Sequence, residues 1–183
     1  MKTFIISSLF SITAAGIAFA QADESPMKEL TVDGVKISYK VKIFEPPTVV
    51  TMNEKMLNQS SAVNCSYLLY SKLAKGDINE AAALSNNAAA VKQDYTLYRE
   101  RIGDEKFKKM FSNYFGGGLS LRYELTIGTR HMLVIHDKEM DMPTAQFYVD
   151  DGKKFIVDEK ESKEKDQLGK LFNALQDGTL NMK

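Results

Sequence analysis

Few residues in this chain have types and spacings that point to chemistry: two histidines, one cysteine and a short run of mixed metal-ligand types. Reading Gly128-Thr129 as a two-residue hairpin turn sets Ile127 opposite Arg130, Leu125 opposite Met132, Tyr123 opposite Val134 and Leu121 opposite His136. His136 then lies on an apolar face, where an imidazole can serve as a base or can complete a core. No second residue is placed to work with it, so no catalytic residue is assigned. His131 is five positions away and faces the other side, beside Glu124 and Thr126. The two imidazoles therefore do not share a metal from one sheet face.

The connector His136-Asp137-Lys138-Glu139-Met140-Asp141-Met142 mixes carboxylates with thioethers. It lacks the glycine and ligand order of a calcium loop. His136 with Met140 and Met142 offers ligand types suited to copper(I), without a spacing that fixes their geometry. No metal or cofactor is expected. Cys65 is the only cysteine, so the chain can form no internal disulfide; on a helix it reads as a small buried apolar residue. Gly116-Gly117-Gly118 follows a helix where a phosphate loop would precede one, and it reads as a helix stop.

Tyrosine gives the strongest hint of a site. Its apolar ring and polar tip suit the walls of pockets. Tyr67, Tyr95, Tyr98 and Tyr123 fall on or beside apolar stripes, as do Tyr70 and Tyr114. Tyr67, Tyr95, Tyr98, Tyr123, Met132 and His136 are the expected lining of a pocket between sheet and helices.

The elements that must position these groups follow from periodicity. Val35, Ile37, Tyr39, Val41 and Ile43 alternate with lysines and a serine, which predicts a half-buried strand. Asp33-Gly34 before it predicts a hairpin with Val32 opposite Val35 and Leu30 opposite Ile37. Pro46-Pro47 is expected to end the strand, since neither can donate to a ladder. Thr51-x-x-Glu54 reads as a capping box that opens a helix running to Gly76. Asp77-x-x-Glu80 starts a short second helix. Val91, Tyr95, Tyr98 and Ile102 form a third stripe, and Phe107, Met110, Phe111 and Tyr114 a fourth. Period two returns at 119–127, 130–137, 144–150 and 153–158, with Asp151-Gly152 as a second two-residue turn. A last helix spans 159–177, with Gly178 as its stop. The expected fold class is α+β: an N-terminal β-hairpin, a helical block, a four-stranded antiparallel meander and a C-terminal helix.

Residues 1–20 carry a charge at Lys2, an apolar stretch and Ala18-Phe19-Ala20, the order of a secretory signal peptide cleaved after Ala20. A polar leader at 21–27 and a single domain at 28–183 follow, and the expected location is periplasmic or secreted. The full chain has 24 basic and 24 acidic residues, and loss of Lys2 leaves one net negative charge. That balance excludes a global field favouring nucleic acid. No later apolar run approaches the ~18 residues a membrane span needs, so no stable membrane insertion is expected after cleavage.

The run from Tyr67 to Ala82, with an aromatic, leucines, Gly76-Asp77 and a short alanine-bearing helix, resembles the opening of NTF2-like (cystatin-like α+β) domains. The resemblance spans about residues 60–157 and implies a cone-shaped fold with a pocket and no particular reaction. The N-terminal hairpin and the helical block 89–115 depart from that family's order. The family's Asp-His pair has no counterpart here. The expectation is an exported, non-catalytic binding protein for a small apolar ligand. One alternative is a protein-binding envelope module, an inhibitor or immunity-type partner, using Lys36, Lys40 and Lys42 and the acidic connector 137–141. The other is an enzyme with His136 as general base.

Overall fold

The computed structural model describes residues 26–182. The segment 1–20, expected to be a signal peptide, and most of the expected polar leader at 21–27 lie outside the described residues. The fold is α+β, about 40% helix and 36% strand. Strands β1 (Met27–Val32), β2 (Val35–Thr51), β3 (Gly116–Ile127), β4 (Arg130–Asp137), β5 (Met142–Asp150) and β6 (Phe155–Val157) form one antiparallel sheet in chain order. The hairpin and the four-stranded meander are therefore one six-stranded sheet, joined by the β2–β3 pairing. Helices α1 (Ala62–Lys75), α2 (Ile78–Ala82), α3 (Ala88–Ile102) and α4 (Asp104–Ser112) connect β2 to β3, and α5 (Lys163–Gln176) follows β6.

The local signals explain most of these boundaries. Asp33 and Gly34 both have positive φ, 50° and 75°, as a type I′ turn requires, and the register sets Val32 opposite Val35 and Leu30 opposite Ile37. Gly76 ends α1 in the left-handed conformation at φ 82°. Ser162 caps α5, its hydroxyl accepting from the Lys165 N–H at 3.1 Å, so the helix starts four residues later than the periodicity suggested.

Helices cover both faces of the sheet. Helices α1, α2 and α4 bury Cys65, Leu73 and Phe107 against Leu121, Leu133, Ile135 and Tyr148. On the opposite face α5 sets Leu168, Leu171 and Ala174 over Ile37, Val41, Leu125, Met132 and Val134, and Leu180 and Met182 of the tail join them. Strand β4 lies between the two layers, which is why Met132, Leu133, Val134 and Ile135 are all buried.

Three expectations need correction. Pro46-Pro47 does not end β2, which runs on to Thr51. The register passes from Ile43 opposite Tyr123 to Thr48 opposite Leu121, so the prolines sit in an unpaired bulge where no ladder donor is required. Thr51 does not cap a helix. It is held extended opposite Gly116; Glu54–Met56 forms a single 3-10 turn, and α1 begins only after Ser61, whose hydroxyl accepts from the Asn64 N–H at 3.0 Å. Asp151-Gly152 is not a two-residue turn, because Asp150 pairs with Phe155 and leaves four residues between them. The Asp151 carboxylate closes that loop by accepting from the N–H groups of Lys153 and Lys154, each at 2.9 Å.

Candidate functional site

A bulge decides what reaches the site. In β3, Leu121 pairs with Ile135 while Tyr123 pairs with Val134, so Arg122 is an extra residue. A one-residue slip exchanges the two faces of a strand. Leu119 and Leu121 therefore pack under the helical block, while Tyr123, Leu125 and Ile127 pack under α5.

A cleft of about 580 Å³ lies on the helical side. Its helical wall is Tyr70 of α1, Met110 and Phe111 of α4, and Tyr114 in the turn that follows. Its sheet wall is Leu119, Thr144 and Gln146, and Asp137 and Glu139 of the β4–β5 turn stand on its rim. Tyr70 and Tyr114 stack face to face, with centroids 3.8 Å apart and planes 8° from parallel. Phe111 tilts against Tyr70 at 5.9 Å. Such ring pairs add rigidity beyond the area they bury.

A buried polar network backs these rings. Gln146 Oε1 accepts from the Ser66 hydroxyl and from the Tyr148 hydroxyl, each at 2.9 Å. Gln146 Nε2 donates to the Tyr70 hydroxyl oxygen at 2.9 Å, and Ser66 Oγ lies 2.5 Å from the Tyr114 hydroxyl. The proton order follows from the inventory of donors. Ser66 has one proton and gives it to Gln146, so Tyr114 donates to Ser66. Gln146 also hydrogen-bonds the Tyr114 hydroxyl, so among the described residues the donor of this network left unspent is the Tyr70 O–H.

Burial raises the acid groups of this region above their ordinary values. It pushes the Cys65 thiol from 9.0 up to about 12. The Tyr148 phenol is raised well above 10.0 by the same desolvation, and Tyr70 and Tyr114 are raised too. A raised folded pKa stabilises the fold fully below the unfolded pKa and ceases to do so as pH rises through the folded value. The urea midpoint is therefore expected to show no loss from these groups up to about pH 9 and to fall between about pH 9 and 12. The Tyr148→Phe variant should show a shallower fall, measured by urea titration at stepped pH.

The six residues expected to line one pocket do not meet. Tyr67 is buried behind the cleft, edge-on to Tyr114 at 6.4 Å and to Phe115 at 5.5 Å. Tyr95 packs edge-on to Phe107 and Phe111 and lines a smaller cleft of about 180 Å³, which shares Tyr70 and Gln146 with the larger one. Tyr98 reaches the Met110 sulfur through its hydroxyl at 3.1 Å. Tyr123 and Met132 lie on the opposite face, under α5. His136 pairs with Ser120 where Leu121 was expected, because of the Arg122 bulge. Its Nε2 lies 3.2 Å from Asp141 Oδ1, and its buried Nδ1 and the Ser120 hydroxyl have no hydrogen-bond partner among the described residues. His136 also pairs with Pro143, which puts Met142 on the other face and breaks up the His136, Met140, Met142 ligand set. His131 binds Glu124 at 2.9 Å and Thr126 at 3.2 Å.

Sequence reasoning missed Gln146, Ser66 and Thr144. The available signal was alternation in β5, where Thr144 and Gln146 share a face with Tyr148. A polar residue on the covered side of a strand marks a site that must be hydrogen-bonded. Comparison with family models, with characterised proteins and with solved structures gives no match for this chain.

Proposed function

We propose that this protein is an exported, non-catalytic binding protein that holds a small, mainly apolar ligand in the cleft between α1, α4 and strands β3 to β5. The observation that carries the reading is the cleft itself: about 580 Å³, walled by Tyr70, Phe111, Tyr114 and Leu119, with a hydrogen-bond donor left at the Tyr70 hydroxyl. Ligand sites combine apolar walls with a few fixed polar groups, in volumes of roughly 300–1,000 Å³. The resemblance of Tyr67 to Ala82 to NTF2-like domains supports the same reading, because that family implies a pocket between helices and sheet. Export rests on the leader at residues 1–20. His136 has no role in this reading, since it lies on the sheet face away from the cleft.

The test uses the chain without its leader and 2-naphthol as a neutral apolar probe. A ligand at a hundredfold excess over its Kd stabilises by about 2.7 kcal/mol. At 2–4 °C per kcal/mol for a domain of this size, Tm should rise by roughly 5–10 °C. Thr144→Trp places an indole on the cleft's sheet wall, and it should abolish the shift while leaving the far-UV circular dichroism intact. No shift in the parent, or an equal shift in Thr144→Trp, overturns the reading.

A further inference from the structure

The polarity of the cleft is not symmetric. In the buried network behind its inner wall, Gln146 is engaged by Ser66, Tyr148, Tyr70 and Tyr114, and the Tyr70 O–H is the donor left for a ligand among the described residues. Its rim offers only anions. Asp137 and Glu139 line it, no lysine or arginine does, and neither carboxylate has an ion-pair partner among the described residues. The ammonium of Lys138, between them in sequence, is directed to the Gly117 carbonyl at 3.5 Å. One Asp137 oxygen is committed to its own turn, accepting from the N–H groups of Glu139 and Met140 at 2.8 and 3.2 Å. Its other oxygen has no partner among the described residues.

From this, and resting on the binding reading above, we infer that the cleft selects an aromatic amine: a flat ring with an acceptor oxygen at its inner end and a protonated nitrogen at the rim. The stacked Tyr70 and Tyr114 rings and Phe111 suit the flat body. Ring faces also attract cations, so the aromatic wall and the carboxylates favour the same charge. An anion of the same shape meets two like charges at the rim, and no lysine or arginine lines the cleft to compensate them.

Isothermal titration of the leaderless chain at low salt with tyramine, tyrosol and 4-hydroxyphenylacetate tests this. The three share a phenol and differ only in the charge of the other end. Tyramine is expected to bind at least tenfold tighter than tyrosol, with the acid weakest. In the Asp137→Asn/Glu139→Gln variant the tyramine-to-tyrosol affinity ratio should fall to about one; asparagine keeps the acceptor that the turn uses. Tyramine binding no tighter than tyrosol, or a ratio unchanged in the double variant, overturns the charge selection while leaving the cleft as a binding site. Failure of all three phenols and of 2-naphthol overturns both.

Discussion

Replacing Arg130 by Met is expected to cost about 3–5 kcal/mol, the range for removing one partner of a buried ion pair. The Arg130 guanidinium meets the Asp158 carboxylate, and the Asp158 side chain is only 1% exposed. The other Asp158 oxygen accepts from Asn86 Nδ2 at 2.7 Å, and Asn86 Oδ1 accepts from the Glu159 N–H at 2.8 Å. Glu164 of α5 lies 4.0 Å from Arg130 Nε. This one cluster ties the start of β4, the end of β6, the α2–α3 connection and α5. Without the cation, the carboxylate remains buried beside a single amide donor. The charged form is then disfavoured, so the variant takes up a proton on unloading its charge as pH falls, and its deficit against the parent should be widest near pH 7 and narrow on acidification. The double replacement Arg130→Met/Asp158→Leu should recover most of the loss, because an apolar pair of similar volume leaves no stranded charge. Urea titrations of the three chains at pH 7 and pH 4 make the measurement. A single variant as stable as the parent would show that this pair contributes nothing net.

The parts of this fold that are legible in the sequence are those governed by neighbours in the chain. Asp33-Gly34 dictates a hairpin because both positions need positive φ, and the observed register agrees residue for residue. Gly76, Gly103 and Gly178 mark helix ends for the same local reason. What the sequence hides is set by partners far along the chain. The apolar alternation from Leu119 to Ile127 is unbroken, yet its first two members face one helical layer and the rest face another, because Arg122 is extruded only in the paired sheet. Pro46 and Pro47 signal a strand end in isolation; opposite Arg122 they become a bulge inside a 17-residue strand. The site suffered from the same blindness. Aromatic stripes correctly point to a tyrosine-rich helical layer, but period two alone cannot assign Met132, Tyr123 or His136 to a layer when both faces are covered. Gln146 becomes visible as a site residue only once β5 is known to turn that side toward α1.

Gln146 is also where stability and the proposed ligand binding meet. Gln146→Leu keeps most of the side-chain volume and removes both ends of the amide. The Tyr148 hydroxyl, on a residue 1% exposed, then loses its Gln146 acceptor and is left with Ser66, whereas Ser66 keeps Tyr114 and Tyr70 keeps its place on the cleft. Removing one partner of a buried hydrogen bond costs about 1–3 kcal/mol, which lowers Tm by roughly 2–4 °C per kcal/mol in a domain of this size. Removing both partners of a hydrogen bond is far less costly than removing one. Gln146→Leu/Tyr148→Phe should therefore lie well above the sum of the single losses, and a double-mutant cycle in urea reads that coupling directly. Binding should respond differently. The double variant regains stability but not the Gln146 bond that orients the Tyr70 hydroxyl toward the cleft, so its affinity for tyrosol should stay as weak as that of Gln146→Leu alone. Recovery of both together would mean that the amide only braces Tyr148, and that the inner wall of the cleft recognises shape without a hydrogen bond.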